Sequence, residues 1–485
     1  MERSSYFRTF LPCLAVLGLM VAMAPTDTSA AGSDWPRFLG PTGDAKSAET
    51  GLRKTWPSGG PPLRWQRAIG EGYASPSVAG GRLYLFHRHK DNATLTCMNA
   101  KTGEEIWEST YTTHYEDMYG YSDGPRVAPL IDGDRVYTFG VEGRLRCLKV
   151  ADGSLIWEMD TARKFGVLQS FFGVGGSPVV EKDLLIVPVG GSPADSPGIS
   201  SGKTTGNGSA LVALDKRTGK IRYKISEELA SYSSPVLATM GNRRWGFYFA
   251  RGGLIGFEPT TGKLDFHFPF RAKKLESVNA SNPVVVGETV FITESYGPGS
   301  AVLRIKDGGY DVLRRDESRR GQSMSSHFMT PIYLDGYLYG SSGQSSGAAE
   351  LRAVEYNSGK IMWSEPGLGR CTMIYADGNL IVFSERGRIL MVEATPERFH
   401  VLADGTPIRA ETPGAHTRSG TAASPRRSAG EMRTDEAGGT PPVSGTSGAG
   451  RPLLAYPSWS PPVLAHGLLY LRGKGRLACF SLRAP

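Results

Sequence analysis

CMNAKTGEEIW, Cys97 to Trp107, returns as CLKVADGSLIW from Cys147 to Trp157 and as ALDKRTGKIRY from Ala213 to Tyr223. Aligned, the three copies place a small residue first, a polar one third, glycine seventh and an aromatic eleventh. GFEPTTGKLDF, Gly256 to Phe266, and AVEYNSGKIMW, Ala353 to Trp363, keep the rule. The chemistry is that of a turn between two strands: a short polar side chain and a hydroxyl bond the turn backbone, and glycine takes the positive φ that other residues resist. The aromatic then opens an outer strand and packs over the neighbouring repeat. Leu303 to Leu313 keeps Gly309 without the aromatic, and Met391 to Val401 has Pro396-Glu397 where hydroxyl and glycine are expected.

A second motif precedes each copy: a short strand led by proline or a small polar residue, a Gly- or Asp-rich turn, and a second apolar strand. It reads SPSVAGGRLYLF from Ser75, APLIDGDRVYTF from Ala128, and so on through starts at Ser177, Ser234, Asn282, Thr330, Met373 and Pro461. Eight hairpins whose starts fall roughly fifty residues apart, except before the last, predict an all-β, eight-bladed propeller of four-stranded antiparallel blades. Little chain remains after Cys479, so the last blade lacks an outer strand. Pro61-Pro62-Leu63-Arg64-Trp65 carries an outer-strand aromatic with no turn before it. The N-terminal strand is therefore expected to complete the last blade and to remove the edge an open array would expose.

Across 485 residues there are 62 Gly and 32 Pro, with 10% aromatic and 21% charged residues, a composition suited to many short strands and tight turns. Residues 1–31 combine Arg3 and Arg8, an apolar run from Phe10 to Ala24 and the small residues Thr28 to Ala31. That pattern reads as a signal peptide, so the expected product is exported, periplasmic or in the cell envelope, and soluble after cleavage. Its apolar run is short for a membrane span and no later one is longer, so no transmembrane segment is expected. Residues 32–403 carry seven blades and the closing strand, and 453–485 the last blade. Between them, 404–452 is Gly, Ser, Thr, Pro, Ala and Arg with almost no large apolar residue, and is expected to be a disordered low-complexity insertion. Gly190 to Gly208 reads as a smaller flexible excursion. Cys97, Cys147 and Cys479 occupy the same repeat position in different blades, too far apart to bridge, and read as small buried thiols. The net charge is +8, but no basic cluster interleaved with aromatics supports nucleic acid binding.

The Asp/Asn-x-x-Thr-Gly-x-x-x-Trp turn, the Ser-Pro-Val hairpins and the eight blades resemble the pyrroloquinoline quinone (PQQ)-like β-propeller repeat family. That family includes quinoprotein alcohol dehydrogenases and the outer-membrane assembly factor BamB. DWPRFLGPTGD, Asp34 to Asp44, and DGPRVAPLIDGDRVYTFG, Asp123 to Gly140, are similar to its exported BamB-like subgroup. The resemblance implies one of two functions. The first is a non-catalytic scaffold, expected as a monomer, that binds protein partners in the cell envelope during outer membrane assembly. The second is a periplasmic PQQ-dependent alcohol or sugar dehydrogenase with PQQ and calcium as cofactors.

In a propeller the residues just before each innermost strand line the mouth of the central channel. Tyr73, Ser75, Arg126, Tyr232, Ser233, Asn279, Asn282, His327 and Trp459 stand there and form a candidate polar and aromatic ligand-binding ring. The plainer reading is that the serines and asparagines bond local backbone. YTTHYEDMYGYSDGPR, Tyr111 to Arg126, adds Tyr119 and Tyr121 and the carboxylates Glu116 and Asp117. A quinoprotein would need a carboxylate base, for which Glu116 or Asp117 are the candidates, a calcium ligand set, for which Glu116 and Asn279 are, and an arginine near the quinone. Against that reading stand the lack of a Cys-Cys pair and of a Cys-x-x-Cys-His haem site. His87 and His89 share a strand face without a visible third metal ligand, and Asp132-Gly-Asp134 reads as a hairpin turn.

Overall fold

The computed structural model describes residues 1–2, 32–167, 171–318, 320–409 and 450–483. Eight four-stranded antiparallel sheets make the ring, seven of them consecutive in sequence. Blade one takes Ser77–Ala79, Arg82–His89, Asn92–Asn99 and Glu105–Thr112 from the channel outward. The eighth is composite: Val463–Ala465, Leu468–Gly473 and Arg476–Ser481 receive Leu63–Ala68 as their outermost strand. Trp65 pairs with Cys479 as Trp107 pairs with Cys97, so the closing strand reproduces the register of a continuous blade.

The repeated eleven residues fasten each blade to the next. Asn99 Oδ1 accepts the N–H groups of Lys101 and Thr102 at 2.9 and 3.2 Å, which shapes the turn, and Gly103 follows at φ 73°. The aromatic of the preceding blade lies on that glycine: a Cβ on Gly103 would fall 2.7 Å from the Trp65 ring, and one on Gly153 2.5 Å from Trp107. Each indole then donates to a carbonyl of the turn it covers. Trp65 reaches Ala100 O at 3.1 Å, Trp107 reaches Val150 O at 3.1 Å, Trp157 reaches Lys216 O at 3.2 Å and Trp363 reaches Thr395 O at 2.9 Å. Glycine is thus required twice over, for its φ and for the ring above it.

Blade five departs from the expected alignment. Its outer hairpin turns tightly at Asp307-Gly308, both flanking strands are longer, and Arg314 rather than Leu313 pairs with Val302 in the aromatic's place. The Arg314 guanidinium covers Gly359, where a Cβ would lie 2.5 Å from Nη1. Its flat, partly apolar face substitutes for the indole. Blade seven keeps its four strands despite Pro396-Glu397 and ends in Val401–Gly405, and Ile408 bridges to Pro452. Ordered backbone therefore extends past Asp404 and resumes before Pro452, inside both limits set for the insertion. Residues 410–449 of the expected insertion and 3–31 of the expected signal peptide lie outside the described residues. The Gly190 to Gly208 excursion is tied down by Asn207, whose amide donates to Phe165 O at 2.8 Å and Ser192 O at 3.0 Å.

The segment from Asp34 to Leu52 has no counterpart in the repeat and crosses the end of the ring that carries the first hairpin turns. Trp35, 1% exposed, exchanges two 2.8 Å backbone bonds with Val78 of blade one, and Pro36 O accepts from Ile131 of blade two. Arg37, Phe38, Thr42 and Gly43 face the innermost strands of blades three and four across a small gap. The chain returns to bond Tyr375 of blade seven, and the Glu49 carboxylate accepts the backbone N–H groups of His466 and Gly467 in blade eight. With contacts to six blades, the segment closes one end of the channel.

Cys97, Cys147, Cys371 and Cys479 are all buried and free. Burial pushes the Cys97 thiol up to about 11 and the other three to about 12. In the native protein at pH 8 these four thiols should therefore resist a colorimetric thiol reagent and react only after denaturation; rapid native labelling of them would contradict their placement.

Candidate functional site

At the opposite end, the connections entering each blade bring aromatic side chains from several blades together. Trp459 is the hub: its ring centroid lies 5.1 Å from Tyr73, 5.9 Å from Tyr121, 5.9 Å from Phe328 and 6.0 Å from Tyr456. The chain of rings continues from Tyr121 to Phe172 and on to Tyr232, while Tyr119 packs on Phe171 and Phe172. On the other side Phe328 meets His327, which meets Tyr296. Met118, Tyr119 and Tyr456 remain exposed above this layer. Phe171, Phe172, Phe328 and Tyr296 are additions to the sequence-derived ring. Only the spacing of Phe171-Phe172 upstream of Ser177 and the adjacency of Phe328 to His327 could have flagged them.

Within the loop from Tyr111 to Arg126, Asp117 and Arg126 are the organising pair. Arg126 Nη2 lies 3.1 Å from Asp117 Oδ1, with the carboxylate side chain 0% and the guanidinium side chain 10% exposed. Arg126 also donates to Gly124 O and Ser122 O and faces the rings of Tyr73 and Tyr115. The other Asp117 oxygen accepts Tyr121 N at 2.6 Å. Pair and loop therefore hold Tyr121 in the aromatic layer. Burial raises the Tyr73 phenol to about 12, so it stays protonated and donates to Tyr121 O at 3.1 Å. Glu116 is exposed.

The serines and asparagines join blades. Ser177 N donates to Ser234 Oγ, Ser234 N to Asn282 Oδ1 at 2.7 Å, and Asn282 N to Thr330 Oγ1 at 3.0 Å. Ser460 Oγ closes the seam by donating to Tyr73 O at 2.6 Å. Asn279 gives its amide to Ala250 O at 2.7 Å, and Ser233 Oγ donates to Phe249 O. Ser75 is buried beside them. The local-backbone reading is thus close, with the partner in the adjacent blade as often as in the same one.

Neither Asn279 nor Asn282 bonds Asp117 or Arg126, and the donors a quinone would need are already spent inside the protein. The large cavity, about 460 Å³, lies elsewhere, under the entry loops of blades two to four between His114, Glu142, Gly175, Ser192 and Tyr232. Of the sequence-derived candidates only Tyr232 lines it. The residues present do not fit a tricyclic quinone with calcium at the channel mouth. Among the described residues no group of three or more His, Cys, Asp and Glu side chains is placed to hold a metal. His87, paired with His89 in the sequence reading, is buried with both nitrogens engaged, by Gly70 N and Thr96 Oγ1.

His87 and His327 are neutral for a shared reason. Burial, then Arg472 and His89 for the first and Arg370 for the second, lowers each imidazole to about 3. Above the ordinary value near 6.5 neither folded nor unfolded chain protonates them; below it the unfolded chain binds protons that the fold refuses, so stability falls as pH drops toward 3. The limit is about 1.4 kcal/mol per pH unit for each histidine. A His327→Gln variant should lose less stability between pH 7 and pH 5 than the parent in urea titrations; equal losses would show that His327 is protonated in the fold.

The fold and its repeat define a class, the eight-bladed propeller of PQQ-like repeats. Residues 47–206 and again 203–398 match the family model described as outer membrane protein assembly factor BamB, and the chain belongs to that BamB-like repeat family. A curated relative, the outer membrane protein assembly factor BamB of Moranella endobia (strain PCIT), is 22% identical over 247 residues, 48% of this chain and 61% of the relative. The match thus spans less than two thirds of that protein. Among solved structures, the quinohemoprotein alcohol dehydrogenase of Comamonas testosteroni superposes with a TM-score of 0.60 at 12% identity, over 93% of this chain and 81% of that one. BamB of Moraxella catarrhalis gives 0.50 at 12% identity, over 87% and 99%. Both likenesses are of fold. No described helix is long and apolar enough to cross a membrane.

Proposed function

We propose that this protein is an exported, cell-envelope propeller that works without catalysis, binding protein partners in outer membrane assembly through the aromatic face around Trp459. The observation that carries the reading is the layer of packed rings across the channel mouth, with Met118, Tyr119 and Tyr456 left exposed on top. Aromatic residues, methionine and arginine are the side chains enriched where proteins bind one another, and rigid rings lose little entropy on contact. Arg370 over Trp459 at 4.7 Å and Arg386 over Tyr456 at 5.5 Å add cations to the same face. Membership of the BamB-like family supports protein partners in the envelope.

The test is photocrosslinking in the native envelope, with the reactive residue at Met118 or Tyr119 and a control at Leu264 on an outer blade edge. Discrete protein adducts from the first two positions and none from the control are expected. Calorimetric titration with PQQ and calcium decides the rival. Tight, calcium-dependent binding would overturn the scaffold reading and establish the dehydrogenase.

A further inference from the structure

Arg251 and Arg271 lie on the same loop end of the ring, at the Phe171 edge of the aromatic layer. Arg251 follows the strand Arg243–Phe249 of blade four, and Arg271 follows its outermost strand, Leu264–Pro269. Both guanidinium groups turn onto one carbonyl. Arg251 Nη2 donates to Leu275 O at 2.9 Å and Arg271 Nη2 to the same oxygen at 3.2 Å, which sets two like charges side by side. Arg251 is 5% exposed and its guanidinium faces the Phe171 ring at 5.2 Å; Arg271 also donates from Nε to Ser277 Oγ at 3.3 Å.

What a structural pair of this kind ordinarily has is a carboxylate in contact with both cations, and among the described residues none is within ion-pairing distance. Neither arginine makes an ion pair within 4 Å among the described residues. The nearby Glu228 is committed elsewhere, accepting Gly252 N at 2.7 Å and standing 3.0 Å from His267 Nε2. The same loop adds the exposed Lys273 and Lys274, the latter over the Tyr296 ring at 5.9 Å. Burial, followed by the charge of Arg271, lowers Arg251 to about 10, and burial lowers Arg271. Glu228 acts on both cations and Glu276 on Arg251 only from beyond ion-pairing distance; two like charges with no carboxylate in contact cost stability, and a ligand that supplies one recovers it.

We propose that Arg251 and Arg271 form a two-guanidinium site that takes a carboxylate, carried either by an acidic side chain of a docking protein or by a free organic acid. Planar guanidinium forks match carboxylate oxygens in a paired geometry that a lysine cannot offer. Leu275 O and Ser277 Oγ fix the two forks before the ligand arrives, so little ordering remains to be done on binding. The site borders the aromatic layer at Phe171 and Tyr296 but does not depend on the scaffold reading.

The experiment uses the full mature chain. Scanning calorimetry in sodium succinate is compared with sodium chloride at equal ionic strength. Succinate should raise Tm by about 2 °C over chloride in the parent and by nothing in Arg271→Met. In chloride alone Arg271→Met should melt at or above the parent, because the repulsion is gone. A purely structural Arg271, holding the loop through Leu275 O and Ser277, would instead lower Tm in chloride and leave any succinate effect on the parent absent. Absence of a succinate-specific rise in the parent, or an equal rise in the variant, overturns the proposal. Titration of the folded parent at 25 °C with succinate and with a capped Asp-Glu tetrapeptide separates the sources. At least tenfold tighter peptide binding assigns the carboxylate to a protein chain, and equal affinity assigns it to a free acid.

Discussion

Trp65→Ala is expected to lower the unfolding free energy by about 3–5 kcal/mol, more than Trp107→Ala does at the neighbouring seam. Both indoles cover a turn glycine and donate to a carbonyl of the next blade. Trp65 alone does so from a strand that is joined to its own blade only by hydrogen bonds, with Tyr470 packed beside it at 5.9 Å. Loss of the ring removes the packing of the last blade on the first and so frees the closing strand. Trp65→Phe keeps most of the apolar contact and forfeits the N–H bond, a loss of about 1 kcal/mol. Urea denaturation of the three variants measures the differences. If Trp65→Ala costs no more than Trp107→Ala, the composite blade is not the weak seam of the ring.

The second large effect belongs to Asp117. Asp117→Ala leaves the Arg126 guanidinium buried without its carboxylate and Tyr121 N without its acceptor, and breaking a buried pair from one side costs about 3–5 kcal/mol. Arg126→Met added to Asp117→Ala removes the orphaned charge, and the double variant should recover much of the loss. The same urea midpoints measure the recovery, with partner crosslinking from Tyr119 as the functional readout. A double variant no more stable than Asp117→Ala would mean that Arg126 finds adequate solvation without Asp117.

The blades were legible because each is specified locally. A turn glycine eleven-residue motif and a Pro-led hairpin contain their own reasons for folding, and the composite eighth blade followed from counting strands. Arg314 was not legible: its hairpin is lengthened on both sides of the turn, so an alignment anchored on Gly309 points to Leu313. Nor was the crossing segment from Asp34 to Leu52, because it bonds four blades and faces two more whose proximity exists only in the closed ring. At the channel mouth, counting back from each proline found Tyr73, Tyr232, His327 and Trp459. That rule missed Phe171 and Phe172, which stand farther upstream of their proline, Pro178, than the others do. Asp117 and Arg126 were picked for chemistry that the structure turns inward, toward each other.

The composite blade also imposes an order of events. Leu63–Ala68 is made early, yet its pairing partner Arg476–Ser481 is among the last parts of the chain. The Ser460 to Tyr73 bond on the same seam joins residues 387 apart in sequence. Seven blades can form as they emerge, each on local contacts, while the first strand waits with one edge bare. During folding the chain is therefore a string of nearly finished modules with an open latch, and its vulnerable interval lasts until the final hairpin forms. A chaperone that shields a single strand near the N-terminus would protect the whole ring through that interval.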